Sequence, residues 1–540
     1  MYLNRSISYT NYIRVQAQSG GATIYANLYI PSKTLTFQEK APLVIYCHGL
    51  GGEKDIDLRI PVELTKRGFF VAALDYQGSG ESGGYILNLN TNKTMPALAQ
   101  DCSKILDAIE KLPIYSRINS SQIGLIGHSL GGMVVLMNGA LDSRFKVTVA
   151  WSPLVNFDLR KLGLSENGTY AKYLPINLIN ETKPANLMII ADINDPIVSY
   201  KGNALVAQNL THCNLVTLKG NYIGGAHFLM TDVTLYKTIN WFESHFFGSE
   251  TINGPITISF YLNYVFLFIS LAIMFVTILG LISYFSNYFK FKYDNQISKD
   301  NILQSKDSKK LIFYRILKIL FYFTLFIILW SIFYVNFDIF GLLFASIFFF
   351  VTYSVWSIQK FLREKKSPIT REFIISKVKD QFRLNEIGYS VLGSSIFLGF
   401  YLLFTMSYPF AFQFPSSLLD FILATAGFPI YLSLEVFYRK VIYPKLNFIT
   451  KERYKTIIII VSIIAVQFIL YGLTWNWSIL PGVLTTHIVF ATVLIINTFV
   501  YEKTRHFSSV FIVSYLIIQI FFGAGISQIL GIRNILSVFL

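Results

Sequence analysis

The sequence predicts two fold classes in one chain. Residues 1–248 read as an α/β domain, a mostly parallel sheet flanked by helices, and residues 249–540 as an all-α polytopic membrane domain. Three observations carry this division. Through the first half, apolar runs of strand length alternate with helix-length stretches, the pattern of a parallel sheet with crossovers. From Ile256 onward the chain becomes a series of apolar runs, each of about 20 residues and so long enough to cross a bilayer. The charge is also uneven: residues 1–248 hold 21 Lys+Arg against 18 Asp+Glu, and the remainder holds 25 against 13.

Hydrophobic residues make up 53% of the chain and charged residues only 14%, which is not the balance of a soluble protein. Because the excess positive charge lies in the half that carries the long apolar runs, it points to membrane topology and away from a nucleic-acid partner. The three cysteines, Cys47, Cys102 and Cys213, form no C-x-x-C pair and are odd in number, so no disulfide framework is expected.

In chain order, Tyr12–Ala17 and Thr23–Ile30 read as strands joined by the turn Ser19-Gly20-Gly21. Pro42–Cys47 is an uninterrupted apolar run, as a buried parallel strand should be, and it ends in His48-Gly49-Leu50-Gly51-Gly52. Glycines there let the loop fold back, so that a backbone N–H faces the space above the next motif. A helix over about 56–67, a strand over 69–75, a Gly/Ser-rich loop over 76–84 and a helix over about 96–111 follow.

Ile123, Leu125 and Ile126 then read as a strand, Gly127-His128-Ser129-Leu130-Gly131 as a sharp turn with Gly132 behind it, and MVVLMNGAL as a helix. Strand, turn and helix are the context that gives G-x-S-x-G its meaning. The turn strains Ser129, so small residues are needed two positions before and after it. A further strand at about 145–151 comes next. The polar stretch 152–184 interrupts the alternation and reads as a small cap over the site. Leu187–Ala191 is again a strand and leads into Asp192-Ile193-Asn194-Asp195-Pro196-Ile197-Val198. A helix (199–210), a strand (214–218), the loop Gly224–Phe228 and a last helix ending near Phe247 complete the domain.

Ser129, Asp195 and His227 therefore stand after successive strands, where open α/β sheets bind their ligands. A serine hydroxyl needs a base to take its proton, a neutral imidazole serves, and a carboxylate on the far ring nitrogen holds the tautomer. Asp192 competes with Asp195 for the acid role. His212 and His245 read as surface residues, and no spacing suggests a metal or cofactor site.

Residues 1–248 resemble the α/β-hydrolase superfamily, in its esterase, lipase and acyl-peptidase branch. The resemblance rests on HGLGG at 48–52, LDYQGSGESGG at 74–84, GHSLGG at 127–132, NDPIV at 194–198 and GGAHF at 224–228, all in order. It implies a serine hydrolase with Ser129 as nucleophile, Asp195 as orienting acid and His227 as base. It also implies an oxyanion hole from the Leu50 and Leu130 amides, with Gly49, Gly127 and Gly131 supporting the site. His48 would buttress the oxyanion loop, and Asp75 and Glu81 would be structural loop residues. His128 reads as a filler. The implied substrate is a small ester, lipid or peptide, with a carboxylesterase or lipase-like activity, or a peptidase acting on short peptides. A transporter or sensor whose hydrolase-like domain only binds ligand has no need for all three site residues.

In the second half eight spans are expected, at about 256–285, 311–334, 337–358, 385–407, 416–437, 456–475, 478–500 and 508–531. Segments 286–318, 359–383, 438–455 and 501–506 carry 24 of that half's 25 basic residues and fall on one side. The positive-inside rule makes that side cytoplasmic and residues 1–248 extracytoplasmic. No signal-peptide pattern opens the sequence, so export would fall to the first span or to an upstream leader. Asn4, Asn92, Asn119, Asn167, Asn180 and Asn209 fit N-x-S/T and agree with an outside location. Polar residues within the spans, Asn263, Asp420, Glu435, Gln467, His487 and Asn497, are the candidates for function there.

Overall fold

The computed structural model describes residues 12–31, 40–55, 57–84, 86, 95–157, 168–220, 225–248, 258–291, 314, 317, 321, 344–363, 370–407, 418–446, 449, 452–474 and 480–529. Its first half is an eight-stranded sheet, β1 (Tyr12–Ser19), β2 (Ala22–Tyr29), β3 (Ala41–Cys47), β4 (Phe70–Asp75), β5 (Ile118–His128), β6 (Val147–Trp151), β7 (Leu187–Asp192) and β8 (Asn214–Leu218). The spatial order is β1-β2-β4-β3-β5-β6-β7-β8. β2 pairs antiparallel with both β1 and β4, and the pairs from β4 through β3 to β8 in spatial order are parallel. Every residue of β3, β4, β6 and β7 is buried, which accounts for their unbroken apolar sequence.

Helices cover both faces: α1 (Arg59–Thr65), α2 (Asp101–Ile109), α3 (Leu130–Leu141), α4 (Ala204–Thr211) and α5 (Asp232–Phe247). One core lies on the side of α2 and α3 and holds Leu43, Ile45, Leu125, Val134 and Ile105. A second core, on the side of α1 and α5, holds Val44, Tyr46, Ile126, Trp151, Leu235 and Phe242. The strand register sets the site, because Cys47 pairs with Gly127 and His128 with Trp151. The ends of β3, β5 and β6 therefore finish level, and the loops that follow share one rim.

The stretch expected to be a cap, 152–184, lies partly outside the described residues. Its described part forms two short helical turns, Thr169–Lys172 and Pro175–Leu178, around a small cluster of Tyr170, Ala171 and Leu174. No disulfide forms: Cys47 and Cys102 are buried with sulfurs 3.5 Å apart, and Cys213 is half-buried.

The second half is helical: α6 (Leu262–Phe285), α7 (Arg371–Gln381), α8 (Leu384–Ser407), α9 (Leu418–Val436), α10 (Glu452–Thr474), α11 (Leu480–Thr504) and α12 (Phe507–Ile529). Among the described residues, two stretches are long and apolar enough to cross a membrane, Tyr264–Tyr288 and Leu384–Phe404. Of the eight expected spans, these two stretches match those at about 256–285 and 385–407. Most of 311–334 and the start of 337–358 lie outside the described residues, as do the bounds of several later runs. The run at 416–437 contains Pro429 inside its helix and continues into a π-helical segment, Phe437–Ile442. The side chains of Asn263, Asp420, Gln467 and His487 are likewise outside the described residues.

Candidate active site

Ser129 occupies the turn between β5 and α3 with φ 55° and ψ −114°, a left-handed backbone that an L-residue adopts only under constraint. The constraint comes from close packing around it. A Cβ at Gly127 would overlap the Gly131 carbonyl, and one at Gly131 would overlap the carbonyls of Cys47 and His48. The Ser129 amide donates to the Trp151 carbonyl at 2.8 Å, which ties the turn to β6. Leu130 opens α3, where the helix dipole favours negative charge nearby.

Leu50 stands in the loop after β3, whose His48 and Gly49 lie against Gly131 and His128 of this turn, and its side chain is exposed. His48 holds that loop. Its Nδ1–H donates to the Gly49 carbonyl at 2.8 Å, its Nε2 lies 3.2 Å from Ser79 Oγ, and its ring stacks on Tyr76 at 4.4 Å. Burial pushes the His48 imidazole down, against the pull of Asp75, so the ring stays neutral. Asp75 accepts from the Lys54 amide (2.6 Å), the Lys54 ammonium (2.8 Å) and the Glu81 amide (3.0 Å), all of which shape the loop.

Of the two acids after β7, Asp195 is the one that meets His227. His227 Nδ1 lies 2.8 Å from Asp195 Oδ2 and 3.1 Å from Oδ1, and both side chains are buried. Burial pushes the Asp195 carboxyl up, but the hydrogen bond and charge of His227 and the amides of Val198 and Ile197 outweigh it and hold the group low. Asp192 instead accepts from the Asn194 amide (2.7 Å) and the Gly220 amide (2.8 Å), so it folds its own loop.

His128 is more than the filler the sequence suggests. Its Nε2–H donates to the His227 carbonyl at 2.8 Å, and the two rings lie 4.9 Å apart. This contact brings the residue beside Ser129 against the loop that carries His227. Burial, and then the charge of His227, lowers the His128 imidazole to about 4, so it acts as a neutral donor. Gly49 makes room for it, since a Cβ there would lie 2.9 Å from His128 Nδ1.

Sequence reasoning missed Arg59, whose buried guanidinium reaches the same loop. Arg59 Nη2 donates to the Phe228 carbonyl (3.2 Å) and Nη1 to the Leu229 carbonyl (3.1 Å). Asp57 neutralises it at 2.6 Å, and Trp151 lies beneath it at 4.9 Å. The signal was an arginine inside the otherwise apolar run Leu58–Leu64, shared only with Glu63. Among the described residues no group of His, Cys, Asp or Glu is placed to hold a metal ion.

The sheet and the strained serine turn are those of an α/β-hydrolase domain. Residues 38–220 match the family described as "Serine aminopeptidase, S33". A Bacillus subtilis (strain 168) protein named "Putative hydrolase YtaP" is 31% identical over 209 residues, covering 34% of this chain and 68% of that protein, and the chain belongs to its hydrolase family. Platelet-activating factor acetylhydrolase of Cavia porcellus is 27% identical over 172 residues, 24% of this chain and 39% of that protein. An uncharacterised 31.7 kDa Escherichia coli protein is 31% identical over 147 residues, 27% of this chain and 49% of that protein. The chain thus spans between about two fifths and one half of these last two relatives. Among solved structures, the ferulic acid complex of Est1E from Butyrivibrio proteoclasticus aligns with 20% identity and TM-score 0.32, over 41% of this chain and 94% of that one.

Proposed function

We propose that the chain is a membrane-tethered serine hydrolase that cleaves ester or other acyl bonds through an acyl-enzyme. In this reading His227 Nε2 takes the Ser129 hydroxyl proton as Oγ attacks the acyl carbon. The Leu50 and Leu130 amides receive the oxyanion. Collapse expels the alcohol or amine, which leaves with the proton from His227. Water then attacks the acyl-enzyme, gives its proton to His227 and releases the acid and free Ser129. Asp195 holds the imidazole tautomer and the cation that forms. The observation that carries this reading is the buried Asp195–His227 hydrogen bond on a loop that His128, the neighbour of Ser129, grips through the His227 carbonyl.

The rim favours an acyl or alcohol portion with apolar surface. Leu50, Ile193, Ile197 and Phe228 are exposed hydrophobics on the three loops that carry the oxyanion amide, Asp195 and His227. The family description leaves a peptide substrate as the second reading. Membrane attachment is supported by the two apolar helices; the eight-span reading and the positive-inside rule would put the basic segments in the cytoplasm and the hydrolase domain outside.

A fluorophosphonate probe should label the wild-type chain and not Ser129→Ala, and Ser129→Ala should lose activity by several orders of magnitude. Labelling that persists in the variant rejects Ser129 as nucleophile. Turnover of p-nitrophenyl esters against aminoacyl anilides separates esterase from peptidase. Protease protection of residues 1–248 in sealed, right-side-out cells would reject the orientation.

A further inference from the structure

The helix α1 carries two buried charged residues that face opposite business. At its start, Arg59 donates to the carbonyls of Phe228 and Leu229, the two residues after His227. Leu229 is itself constrained, with φ 49° and a fully buried side chain, and its carbonyl also accepts from the Thr231 amide at 2.9 Å. An L-residue with that backbone persists only where its surroundings hold it, and Arg59 is part of what holds it.

One turn further along α1, Glu63 meets the chain that leads into α6. Its Oε1 accepts the amides of Ser259 (2.8 Å) and Phe260 (2.7 Å). Its Oε2 pairs with Arg67 (2.6 Å) and Lys66 (3.0 Å), and Lys66 reaches on to the Ser259 hydroxyl. The carboxylate is fully buried. Burial pushes it up, but the charges of Lys66 and Arg67 and their hydrogen bonds outweigh this and keep it ionised. Phe260 is 1% exposed and belongs to the hydrolase core beneath α1 and α5, with Tyr261 and Tyr264 packed against it. The first apolar helix is therefore not on a loose linker. Its leading residues complete the hydrolase core.

We infer that α1 couples the helical half to the catalytic base: Arg59 is a positioning residue for the His227 loop, and Glu63 with Phe260 seats the start of α6 on that same helix. The inference rests on His227 acting as the base. Its physical content is that α1 cannot shift without moving either set of hydrogen bonds. Undocking the 258–261 segment leaves Glu63, Lys66 and Arg67 to rearrange and opens the core under α1. That frees α1 to move, and Arg59 carries the motion to Phe228 and Leu229. Displacement of a catalytic group by about 1 Å is enough to lower turnover by about 10²-fold.

The test uses the full chain reconstituted in lipid nanodiscs. It reads kcat and KM on a p-nitrophenyl ester, and amide hydrogen exchange along residues 225–235. Arg59→Met should lower kcat by about 10²-fold with KM little changed and should speed exchange at 228–232. Arg59→Lys should recover part of both. Glu63→Leu and Phe260→Ala should each lower kcat by about tenfold and speed exchange at 228–232 as well as at 258–264. Glu63→Gln, which keeps an acceptor for both amides but turns an NH2 toward Lys66 and Arg67, should fall between wild type and Glu63→Leu. Unchanged exchange in β5 and α3 reports that the domain is folded.

If Glu63→Leu and Phe260→Ala loosen only 258–264 and leave kcat unchanged, the coupling is wrong. If Arg59→Met leaves kcat and the 228–232 amides untouched, the positioning role is wrong. Should the Arg59 variants not fold, the Glu63 and Phe260 arm still decides. The exchange arm does not need catalysis: transmitted loosening in a chain whose turnover and labelling do not depend on Ser129 would sink the proposed activity and leave the coupling standing.

Discussion

In the hydrolase half, the buried polar side chains converge on the rim of one sheet. His48, Asp75, His128, Arg59 and Asp195 hold loops, and each makes at least one hydrogen bond to a backbone amide or carbonyl of the loops around the site. In the helical half they tie one helix to another. Glu435 at the end of α9 accepts from Arg439 at 2.8 Å and from Asn497 of α11, and Asn497 donates to Ser514 of α12 at 2.7 Å. Arg439 lies in the π-helical segment over the rings of Tyr443 and Tyr501. Loop-holding bonds give a site its geometry, whereas helix-to-helix bonds fix the register of otherwise uniform apolar surfaces. The two halves should therefore fail differently when damaged.

The largest effect is expected at Gly131. Any side chain there overlaps the carbonyls of Cys47 and His48, so Gly131→Ala must push α3 away from β3. Fluorophosphonate labelling of the variant should fall by at least about 10²-fold. Near-normal labelling would mean that the serine turn tolerates what its packing forbids, and the contrast between the halves would lose its sharpest edge.

Next in size is the helical polar cluster. Arg439→Met leaves Glu435 buried without its cation, and removal of one partner of a buried pair destabilises by about 3–5 kcal/mol. Thermal unfolding of the purified full chain should show this loss, and Glu435→Met combined with Arg439→Met should regain much of it. If the double variant is as unstable as the single ones, the pair does more than satisfy its own charges.

The legibility of the chain follows the same division. The serine turn could be read because strand, glycine, serine, glycine and helix lie within a dozen residues and their steric need is local. His227 and Asp195 could be proposed because each comes in a loop region after a strand, β8 and β7. The choice between Asp192 and Asp195 depends on which carboxylate the three-residue loop turns toward His227, and spacing alone does not encode that. Arg59 was invisible because its acceptors lie 169 and 170 residues away, with only its presence in an apolar run to mark it. His128 could be seen as adjacent to Ser129 but not as the partner of a carbonyl 99 residues distant. In the second half, apolar runs announce helices well. Uniform hydrophobicity says little about where one crossing ends, and two of the eight expected runs are matched by qualifying stretches among the described residues.

A smaller, pH-dependent effect separates two groups of the site. The His128 imidazole is held to about 4 in the folded chain by burial and by His227, against an unfolded value of about 6.5. Between these values the unfolded chain binds more protons, so stability falls as pH drops from about 6.5 to 4 and is level below that. The full drop is on the order of 3 kcal/mol. Asp195 is the opposite kind of group. Its depressed carboxyl contributes stability above about 3.9, which is lost only as pH falls through its lower folded value. Denaturant unfolding from pH 7 to 4 should show the slope in wild type and a clearly shallower one in His128→Asn, the remainder belonging to the other lowered imidazole, His48. A slope as steep as wild type in the variant assigns it to another group.

The smallest effect tests the comparison from the other side. Gly280 lies within α6 with nothing within 4 Å of where a Cβ would stand, so here the glycine has no packing task. Alanine loses less backbone freedom than glycine on entering a helix, and Gly280→Ala should leave stability unchanged or raise it by up to about 1 kcal/mol. Labelling should stay at the wild-type level. Both outcomes follow from the difference between a helix surface, where a glycine is only a gap in the side-chain row, and the serine turn, where it is the reason two backbones meet. A clear loss of stability in Gly280→Ala would mean that another surface packs against that face of α6. The helix would then be held by more than its leading end in the hydrolase core and the buried Met274, Ile278 and Ile282, which share the helical core with Tyr389 and Phe397 of α8 and Val493 of α11.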